Sequence, residues 1–591
     1  MVLSMVLASC GQAAPTSPTA PTSTTSPTTS VPTAPTTTAP PTQGGILPAE
    51  TPKYGGTHIK VLNQDPLGFD EAYAVHPNIT SAFLTNSELM GGDWAKGPAG
   101  TGETSWVNGF IGRVDLETGY LAESWEIQGE DTIIYHLRKG AKWQNKPPVN
   151  GREVTADDVV YSINRNFTTP TAYLYGAYTR NGYNPTSVTA LDKYTVQLKV
   201  PQTTFGLMVL VCGDFMWIWP KEMIDMYGDM KDWKHSCGTG PFKLTDYVSG
   251  SSLTYKKNPD YFMHDPLHPE NQLPYLDGVK ELIISDKSTR LAALRTGKID
   301  DLEELVSVEW EDANLLMKQV PDIKYAVDYG VRSVAFRLDK PELPFPDIRV
   351  RRALSLAVNQ KEILDTVYEG HGVVYSYPYL PLPEYEPFRV PFDELPELAQ
   401  EPFTYNPEKA KELLAEAGYP DGFKTKVVCG DSTAADFLSV IREYLLAVGV
   451  DMEIQQLEIG AFTSLSRGRN HEEGIIRGSL MTQFPFRLLE WRKESFDDHS
   501  FFDSSTIRSA YEEISAKVGI DDARVSEILK GLVPYMLEQN IQIWCPAYEL
   551  YNMWWPWMQN YHGESTMGYF NPHQHIHYIW VDESLKKSLG Y

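Results

Sequence analysis

Alternating apolar and polar positions mark three strands in the first half of the chain. Residues 132–138, TIIYHLR, show a period of two that is typical of a half-buried strand, and Gly140 ends the run. Residues 192–200, DKYTVQLKV, predict another alternating strand, and residues 58–62 predict a first one. We therefore expect sheets that bury one face.

A helix is predicted shortly after the strand at 132–138. Thr155 can cap it, and Asp158 stands three residues further on, as in a capping box. Apolar side chains then recur at helical spacing and would face a core: Val159, Val160, Ile163 and Phe167. These features belong to the scaffold and carry no chemistry of their own.

Cap residues predict further helices in the second half of the chain. Residues 288–300 form a predicted helix that ends at Gly297. Asp347, Asn359 and Asn406 each stand at an N-cap position in front of a predicted helix. Helices and strands are therefore mixed along the chain.

Composition narrows the class of protein. The 591 residues carry a formal net charge of −26, which argues against nucleic acid and disfavours adsorption to anionic lipid. Hydrophobic residues make up 42% and aromatic residues 12%, which suits two or three globular domains with a sizeable core. No uninterrupted apolar run reaches the ~18–20 residues that a membrane-spanning helix needs.

The N-terminus has the form of a lipoprotein leader followed by a tether. Residues 7–10, LASC, match a lipobox, in which Cys10 becomes the lipidated first residue; a chance match in an apolar leader is the alternative. None of the residues before Cys10 is Lys or Arg, so we expect residues 1–10 to be a signal segment truncated at its start. Residues 11–52, nearly all Pro, Thr, Ser and Ala, should form a disordered, extended tether.

The pairing of the remaining cysteines is open. Cys212, Cys237, Cys429 and Cys545 allow three pairings in an extracellular protein. Cys212 with Cys237 is the most natural pair, because it closes a short loop, and buried free thiols are the alternative. No CxxC or paired Cys/His spacing indicates structural zinc.

Catalytic motifs are missing from the sequence. There is no GxSxG, HExxH or GxxxxGK[ST], so we predict that the protein is not an enzyme and uses no cofactor. His573, His575 and His577 would share one face of a strand and could bind a metal. A polar strand edge is the alternative, and we predict no metal site.

Several motifs occur together in one order. They are LAESW, HLRKG and TADDVVYS within 121–166, GTGPF at 238–242, and the segments 347–370, 405–423 and 543–561. In this order they resemble the extracellular solute-binding proteins of family 5, the oligopeptide-, dipeptide- and nickel-binding type of bacterial ABC importers. The resemblance covers nearly the whole globular body.

The resemblance implies an α/β protein with a bilobal, periplasmic-binding-protein-like fold (type II, large three-domain variety) and a ligand cleft between the lobes. Domain I would comprise residues 54–77, 187–325 and 548–591, domain II residues 78–186, and domain III residues 326–547. Two crossovers near residues 325 and 547 would form a hinge that closes on ligand.

The resemblance also implies a function. Family members capture an extracellular solute and deliver it to ABC permease subunits, with no catalytic step. We expect a monomer that binds a small-molecule or oligomeric solute and no nucleic acid. Its lipid would hold it to the cell membrane, at the outer face of the cytoplasmic membrane or in the periplasm. A solute sensor on the same scaffold is an alternative.

The stretch 474–490 departs from the pattern of peptide-binding relatives. Those relatives carry roughly GW-x-x-DY-x-DP there, and its aspartate pairs with the ammonium group of the peptide. This chain has no Asp in the stretch, and a buried cation without a partner is very unfavourable. We therefore predict an oligosaccharide-like or other neutral amphipathic ligand, or an atypical peptide. Ordinary oligopeptide binding, with Glu490 as the ammonium partner, is the alternative.

Aromatic residues in segments that flank the cleft in relatives are candidate contacts, because aromatic faces suit neutral amphipathic solutes. The candidate ligand-binding residues are Tyr173, Tyr175, Trp217, Trp219, Thr482, Gln483, Phe484, Arg487 and Trp491. Thr482, Gln483 and Arg487 would supply the polar contacts. The alternative is that most of the aromatic residues belong to the core.

Overall fold

The computed structural model describes the chain from residue 51 onward, apart from short internal stretches. The described residues are 51–73, 81–107, 112–302, 307–478, 488, 491 and 498–591. Their strands are β1 Thr57–Leu62, β2 Met90–Gly92, β3 Glu117–Gly119, β4 Ala122–Gln128, β5 Thr132–Leu137, β6 Ser187–Asp192, β7 Thr195–Lys199, β8 Phe242–Val248, β9 Ser252–Lys257, β10 Gly278–Ile283, β11 Asp301–Leu302, β12 Val308–Glu309, β13 Lys324–Gly330, β14 Arg332–Phe336, β15 Gly372–Val373, β16 Phe423–Cys429, β17 Val450–Gln456, β18 Gly474–Gly478, β19 Gln542–Trp544, β20 Ala547–Trp554, β21 Met558–Gln559 and β22 Trp580–Val581.

Helices alternate with these strands. They are α1 Ala82–Thr85, α2 Ala156–Thr168, α3 Tyr173–Ala177, α4 Phe205–Leu210, α5 Lys221–Tyr227, α6 Lys287–Arg295, α7 Trp310–Gln319, α8 Ile348–Ala357, α9 Gln360–Val367, α10 Glu397–Gln400, α11 Pro407–Glu416, α12 Ser432–Leu446, α13 Ile459–Arg467, α14 Ser505–Lys517, α15 Asp522–Glu538 and α16 Glu583–Ser588. No helix among the described residues has both the length and the apolar character that crossing a membrane requires.

Two four-stranded sheets come from the first half of the chain. The first has the order β1-β10-β9-β8, with β1 and β10 parallel and the other pairs antiparallel. The second has the order β4-β5-β7-β6 and is antiparallel throughout. The predicted strands at 58–62 and 132–138 are confirmed as β1 and β5.

The third predicted strand is wrong in its extent. Residues 192–200 are not one strand, because Asp192 ends β6 and Thr195 begins β7. The carboxylate of Asp192 accepts the backbone N–H of Tyr194 at 2.7 Å, which fixes a tight turn inside the alternating run. Alternation continued through the turn, so the pattern alone did not reveal it.

The predicted helix caps are confirmed. The capping box of Thr155 and Asp158 is present at the start of α2, with the backbone N–H of Thr155 donating to Asp158 at 2.9 Å. Asp347, Asn359 and Asn406 each accept a backbone N–H from the first turn of α8, α9 and α11. These caps could be predicted from the sequence because a cap residue accepts a backbone N–H of the helix that directly follows it.

The chain passes twice between two sheets. β13 pairs with β20, and after Val331 the next strand, β14, lies in another sheet with the order β17-β16-β18-β14-β19. The chain returns through Cys545 and Pro546, between β19 and β20. We call residues 332–544 the insert lobe and the other described residues the body lobe.

Three large hydrophobic cores hold these lobes. One packs β1, β9 and β10 against Trp555 and Trp557 of the C-terminal segment, within the body lobe. Another packs β14, β16, α8 and α12 within the insert lobe. The third contains side chains of both lobes, including Tyr135 and Leu529, so the described lobes share one continuous apolar contact.

The domain boundaries drawn from the resemblance stay a prediction. One pairing bears on how they are drawn: residues 187–199, placed in domain I, form β6 and β7, and β7 is hydrogen-bonded to β5 of domain II. The crossings lie at Val331 and at Cys545-Pro546, a few residues from the expected positions near 325 and 547.

The four described cysteines are free, buried thiols, so the Cys212–Cys237 bridge does not form and the alternative holds. Burial raises the pKa of the Cys237 thiol to about 12 and that of the Cys545 thiol to about 12, which leaves both protonated and unreactive at neutral pH.

The three C-terminal histidines do not lie on a strand. Residues Gln574–His577 form a short 3₁₀ helix, and His573, His575 and His577 are all buried. Burial lowers the pKa of His577 to about 3, so its imidazole is neutral. Within the described ranges, no three His, Cys, Asp or Glu side chains are grouped to hold a metal ion.

Candidate functional site

The two lobes meet along a seam that runs beside the N-terminal part of the body lobe. The Lys517 ammonium lies 3.5 Å from the Glu130 carboxylate across it. A side chain at Gly206 would clash with Val518, which shows how closely α4 and the end of α14 approach. In a bilobal fold such a seam is where a ligand would be enclosed.

A cavity of about 210 Å³ lies in this seam. Gly112, Arg113 and Asp115 line it from the body lobe, and Phe388 and Val525 are among the residues that line it from the insert lobe. The Arg113 guanidinium is paired with Asp115 at 2.6 Å. Asp522 and Ser526 also line the cavity, so its walls combine apolar side chains, polar groups and the Arg113–Asp115 ion pair.

An aromatic group of the body lobe surrounds Trp217. The Trp217 ring meets Phe83 edge-on, with centroids 4.9 Å apart at 82°. Phe570 lies 6.1 Å from Phe83 and 6.0 Å from Phe215. Trp217 itself is buried, so in this conformation it packs within the protein.

Trp219 is buried beside this group. Its indole N–H donates to Glu71 at 2.9 Å, and its backbone N–H donates to the hydroxyl of Ser162 at 2.9 Å. Because the polar hydrogen of its ring is used by Glu71, Trp219 could offer a ligand only its apolar face.

Tyr173 and Tyr175 lie on α3 and are half-buried. Tyr173 is 5.9 Å from the ring of Phe215, which places it next to the aromatic group around Trp217. The guanidinium of Arg180 lies 5.7 Å from the centroid of Tyr175. Of the candidate residues, Tyr173 and Trp217 are thus brought together by Phe215 and its neighbours.

An aromatic column of the insert lobe contains Trp491. Its indole N–H donates to the hydroxyl of Tyr377 at 2.6 Å. Tyr377 stacks on Trp544 with centroids 3.4 Å apart at 11°. Trp544 is the last residue of β19, so the column ends beside one of the two crossings. No local pattern pointed to Tyr377 or Trp544, because their partners lie far away along the chain.

The remaining candidates lie outside the described residues. They are Thr482, Gln483, Phe484 and Arg487, together with Glu490 and the lipidation residue Cys10. Their roles stay predictions.

Three carboxyl groups are buried together next to Phe215. Burial raises the pKa of Asp214 to about 8, and burial together with the charge of Asp214 raises the pKa of Glu88 and Glu117 well above the ordinary value. Asn571 donates to Glu88 at 2.6 Å, and the backbone N–H of Tyr569 donates to Asp214. The cluster therefore holds protons at neutral pH and fastens the segment around residue 570 to Glu88 and Asp214 of the same lobe.

Another buried carboxyl group, that of Glu384, lies in the seam. Its oxygens accept the backbone N–H of Ser105 at 3.1 Å and the hydroxyl of Ser105 at 3.0 Å. Arg113 donates to the backbone carbonyl of Glu384 at 3.4 Å. Burial raises the pKa of the Glu384 carboxyl to about 7. Ser105 and Glu384 are 279 positions apart, and no sequence pattern linked them.

Taken together, the candidate residues Trp217, Trp219 and Trp491 are buried in the hydrophobic core that both lobes share. Aromatic side chains of this kind suit non-covalent binding of an amphipathic molecule where they become accessible to one. The family model described as bacterial extracellular solute-binding proteins, family 5 (middle part), matches residues 118–507, well over half of the chain. The chain belongs to this family, which confirms the resemblance found in its motifs.

Named relatives agree with this assignment. Heme-binding protein A of Haemophilus influenzae is 30% identical over 331 residues, which cover 53% of this chain and 56% of that protein. The dipeptide-binding protein of Escherichia coli is 28% identical over 419 residues, which cover 66% of this chain and 70% of that protein. The chain thus spans little more than half the length of the heme-binding relative.

The fold agrees with a solved structure of the same type. The oligopeptide-binding protein AppA from Bacillus subtilis, in complex with a nonapeptide, has a TM-score of 0.66 and 20% identity. The match covers 90% of this chain and 100% of that chain. The predicted bilobal, periplasmic-binding-protein-like α/β fold is therefore confirmed. Proteins of this family bind solutes and are not enzymes, in keeping with the sequence prediction.

Proposed function

We propose that this protein captures an extracytoplasmic solute between its body and insert lobes and delivers it to the permease subunits of an ABC importer. Membership of family 5 supports the class. The observation that carries the proposal is the pair of crossings at Val331 and Cys545-Pro546, where the chain passes between two lobes that each have a core of their own and share a third. Such a connection permits a hinge motion, and closure would enclose the ligand.

The ligand we propose is amphipathic and largely neutral at the end that enters the seam. The aromatic group around Trp217 and the column of Trp491, Tyr377 and Trp544 would supply apolar faces on both sides. The absence of Asp from residues 474–490 supports a ligand without a buried ammonium group. An oligosaccharide-like solute or an end-blocked peptide meets these requirements.

An ordinary peptide is the second candidate. It is favoured by the dipeptide-binding relative from Escherichia coli and by AppA, whose structure contains a nonapeptide. Heme-binding protein A, a relative named for a different ligand, shows that the names of relatives do not all point to peptides. Mass spectrometry of the molecule released when the purified native protein is denatured separates these classes. Recovery of no small molecule from any preparation, together with no binding in calorimetric screens, would contradict the proposal.

We further propose that Cys10 carries a lipid that anchors the protein and that residues 11–52 act as its tether. The lipobox LASC and the Pro, Thr, Ser and Ala composition support this part of the proposal. Anchoring would keep the body near the permease while leaving it free to rotate and dock.

A further inference from the structure

The carboxyl group of Glu384 in the insert lobe is hydrogen-bonded to Ser105 in the body lobe. Ser105 belongs to the body lobe and Glu384 to a short 3₁₀ helix, Pro383–Tyr385, of the insert lobe. Both the N–H and the hydroxyl of Ser105 are used by the same carboxyl group. Any motion that separates the lobes here breaks these hydrogen bonds and exposes Glu384 to water.

The surroundings of Glu384 disfavour its charged form. The side chain is fully buried, and the charge of Asp328 on β13 faces it from the body lobe. The nearby Arg113 is paired with Asp115 and contacts the backbone carbonyl of Glu384, not its carboxylate. The Ser105 hydrogen bonds stabilise the ion, but burial outweighs them and the pKa rises to about 7.

The protonated form fits the same geometry. The Ser105 N–H can donate to one oxygen of the carboxylic acid, while the acid proton is donated to the hydroxyl of Ser105. That hydroxyl also accepts the backbone N–H of Val107 at 3.2 Å. The hydrogen of the Ser105 hydroxyl can then donate to the other carboxyl oxygen, 3.1 Å away. Protonation therefore removes a buried charge and leaves each of these donors with an acceptor.

We propose that Glu384 is a positioning residue for lobe closure, a latch that closes on Ser105 with a proton bound and that makes the closed state more stable in acid than at neutral pH. This inference rests on the proposed hinge motion between the lobes. Because closure would retain the ligand, the latch would make ligand retention depend on pH. Glu384 would have this effect without touching the ligand.

Proton linkage determines how the stability of the closed form changes with pH. Closure raises the pKa of Glu384 from about 4.5 when exposed to about 7 when buried, so the closed form binds the proton more tightly. The stabilising effect is fully present below about pH 4.5 and is lost as the pH rises to about 7. Between pH 5 and pH 8 the open-to-closed ratio should increase by roughly 70-fold.

Hydrogen exchange at the Ser105 amide measures this ratio directly, because that N–H donates across the seam. We expect the protection of the Ser105 amide in the ligand-free protein, corrected for the intrinsic rate, to fall from pH 5 to pH 8, by up to roughly 70-fold. Glu384→Gln keeps an acceptor without a titrating proton, so its protection should be independent of pH. Amides of β16, in the core of the insert lobe, report on global unfolding and should not follow this trend.

The matched control is Glu386→Gln. Glu386 lies two residues further on, is exposed, and pairs with Arg389 of its own lobe at 3.2 Å. This variant should keep the full pH dependence. A wild-type protection that does not change with pH, an unprotected Ser105 amide, or the same slope in Glu384→Gln would each overturn the latch.

Different experimental results would reject the latch and the proposed function. The exchange experiment uses no ligand, so a missing slope alongside a ligand that still closes the lobes rejects only the latch. A normal slope in a protein that binds no solute rejects only the transport role.

Discussion

The backbone N–H of Cys545 donates to the carbonyl of Arg332 over 3.1 Å, so the two passages between the lobes lie side by side. Arg332 begins the first strand of the insert lobe, and Cys545 follows its last described strand. Two adjacent strands that share a hydrogen bond can bend together about one axis. Together with the pairing of β15 to β20 beside them, this relationship supports a hinge at the crossings.

The hinge should be sensitive to added volume at Gly330. A methyl group there would clash with the ring of Tyr548 on the paired strand β20. We expect Gly330→Ala to destabilise the protein by about 1–3 kcal/mol, because backbone and ring are both packed. Thermal unfolding should show a lower Tm.

Gly531→Ala is the matched control for this change. Gly531 lies inside α15 and has open space around its Cα. Alanine there should add about 0.5–1 kcal/mol to the free energy of unfolding through its higher helix propensity, so the Tm should stay the same or rise. A Gly330→Ala protein as stable as wild type would mean that Tyr548 moves freely and that the strands at the hinge are loosely packed.

The buried carboxyl cluster should make stability depend on pH. The pKa of Asp214 is raised from 3.8 to about 8 in the folded protein, so its contribution is present below pH 4 and is lost as the pH rises through about 8. We expect the wild-type Tm to fall between pH 5 and pH 9, and Asp214→Asn to reduce this fall by at least about 2 °C. Asp246→Asn, at an exposed position on β8, should behave like wild type. Parallel Tm profiles for all three proteins would show that Asp214 titrates normally.

Anchoring tests the role of Cys10. If Cys10 carries lipid, the native protein should partition into the detergent phase, since acyl chains bury apolar surface in a micelle. Cys10→Ala, expressed from the full native start, should move to the soluble fraction. A wild-type protein that is already soluble after signal cleavage would reject the lipoprotein proposal.

Ligand class is tested by calorimetry against di- to pentapeptides and a panel of oligosaccharides. Burying a free ammonium group without an acid partner costs several kcal/mol. Since about 1.4 kcal/mol equals a factor of ten, that cost can erase micromolar affinity. We therefore expect weak or no binding of ordinary peptides and stronger binding of a neutral amphipathic solute. Micromolar binding of free-amino peptides would favour the second candidate and point to Glu490 or another carboxylate as the ammonium partner.

The sequence revealed what is local in this fold. Asp347, Asn359 and Asn406 cap the helices that directly follow them, so a few residues contain the whole signal. The alternating run at 192–200 was wrongly predicted to be one strand, because a turn of two residues does not interrupt the alternation of apolar and polar positions. The histidines at 573–577 were expected on a strand, but a 3₁₀ helix holds them in the core.

The seam was much less predictable. Glu384 and Ser105, and Trp491 and Tyr377, meet only because the insert lobe folds back on the body lobe or on itself. Their separations in sequence are 279 and 114 positions, and a period or cap does not act over that range. The sequence was enough to name candidate residues such as Trp219. It could not show that Glu71 would accept the ring N–H of Trp219.

Small-angle scattering tests closure of the lobes most directly. The radius of gyration should be measured for the protein carrying its co-purified ligand and for the same protein after the ligand has been removed by unfolding and refolding. We predict a smaller radius with ligand bound, because the insert lobe rotates toward the body lobe about the crossings, which are joined by the Cys545–Arg332 hydrogen bond. Equal radii, with calorimetry showing that the returned ligand saturates the protein, would contradict it.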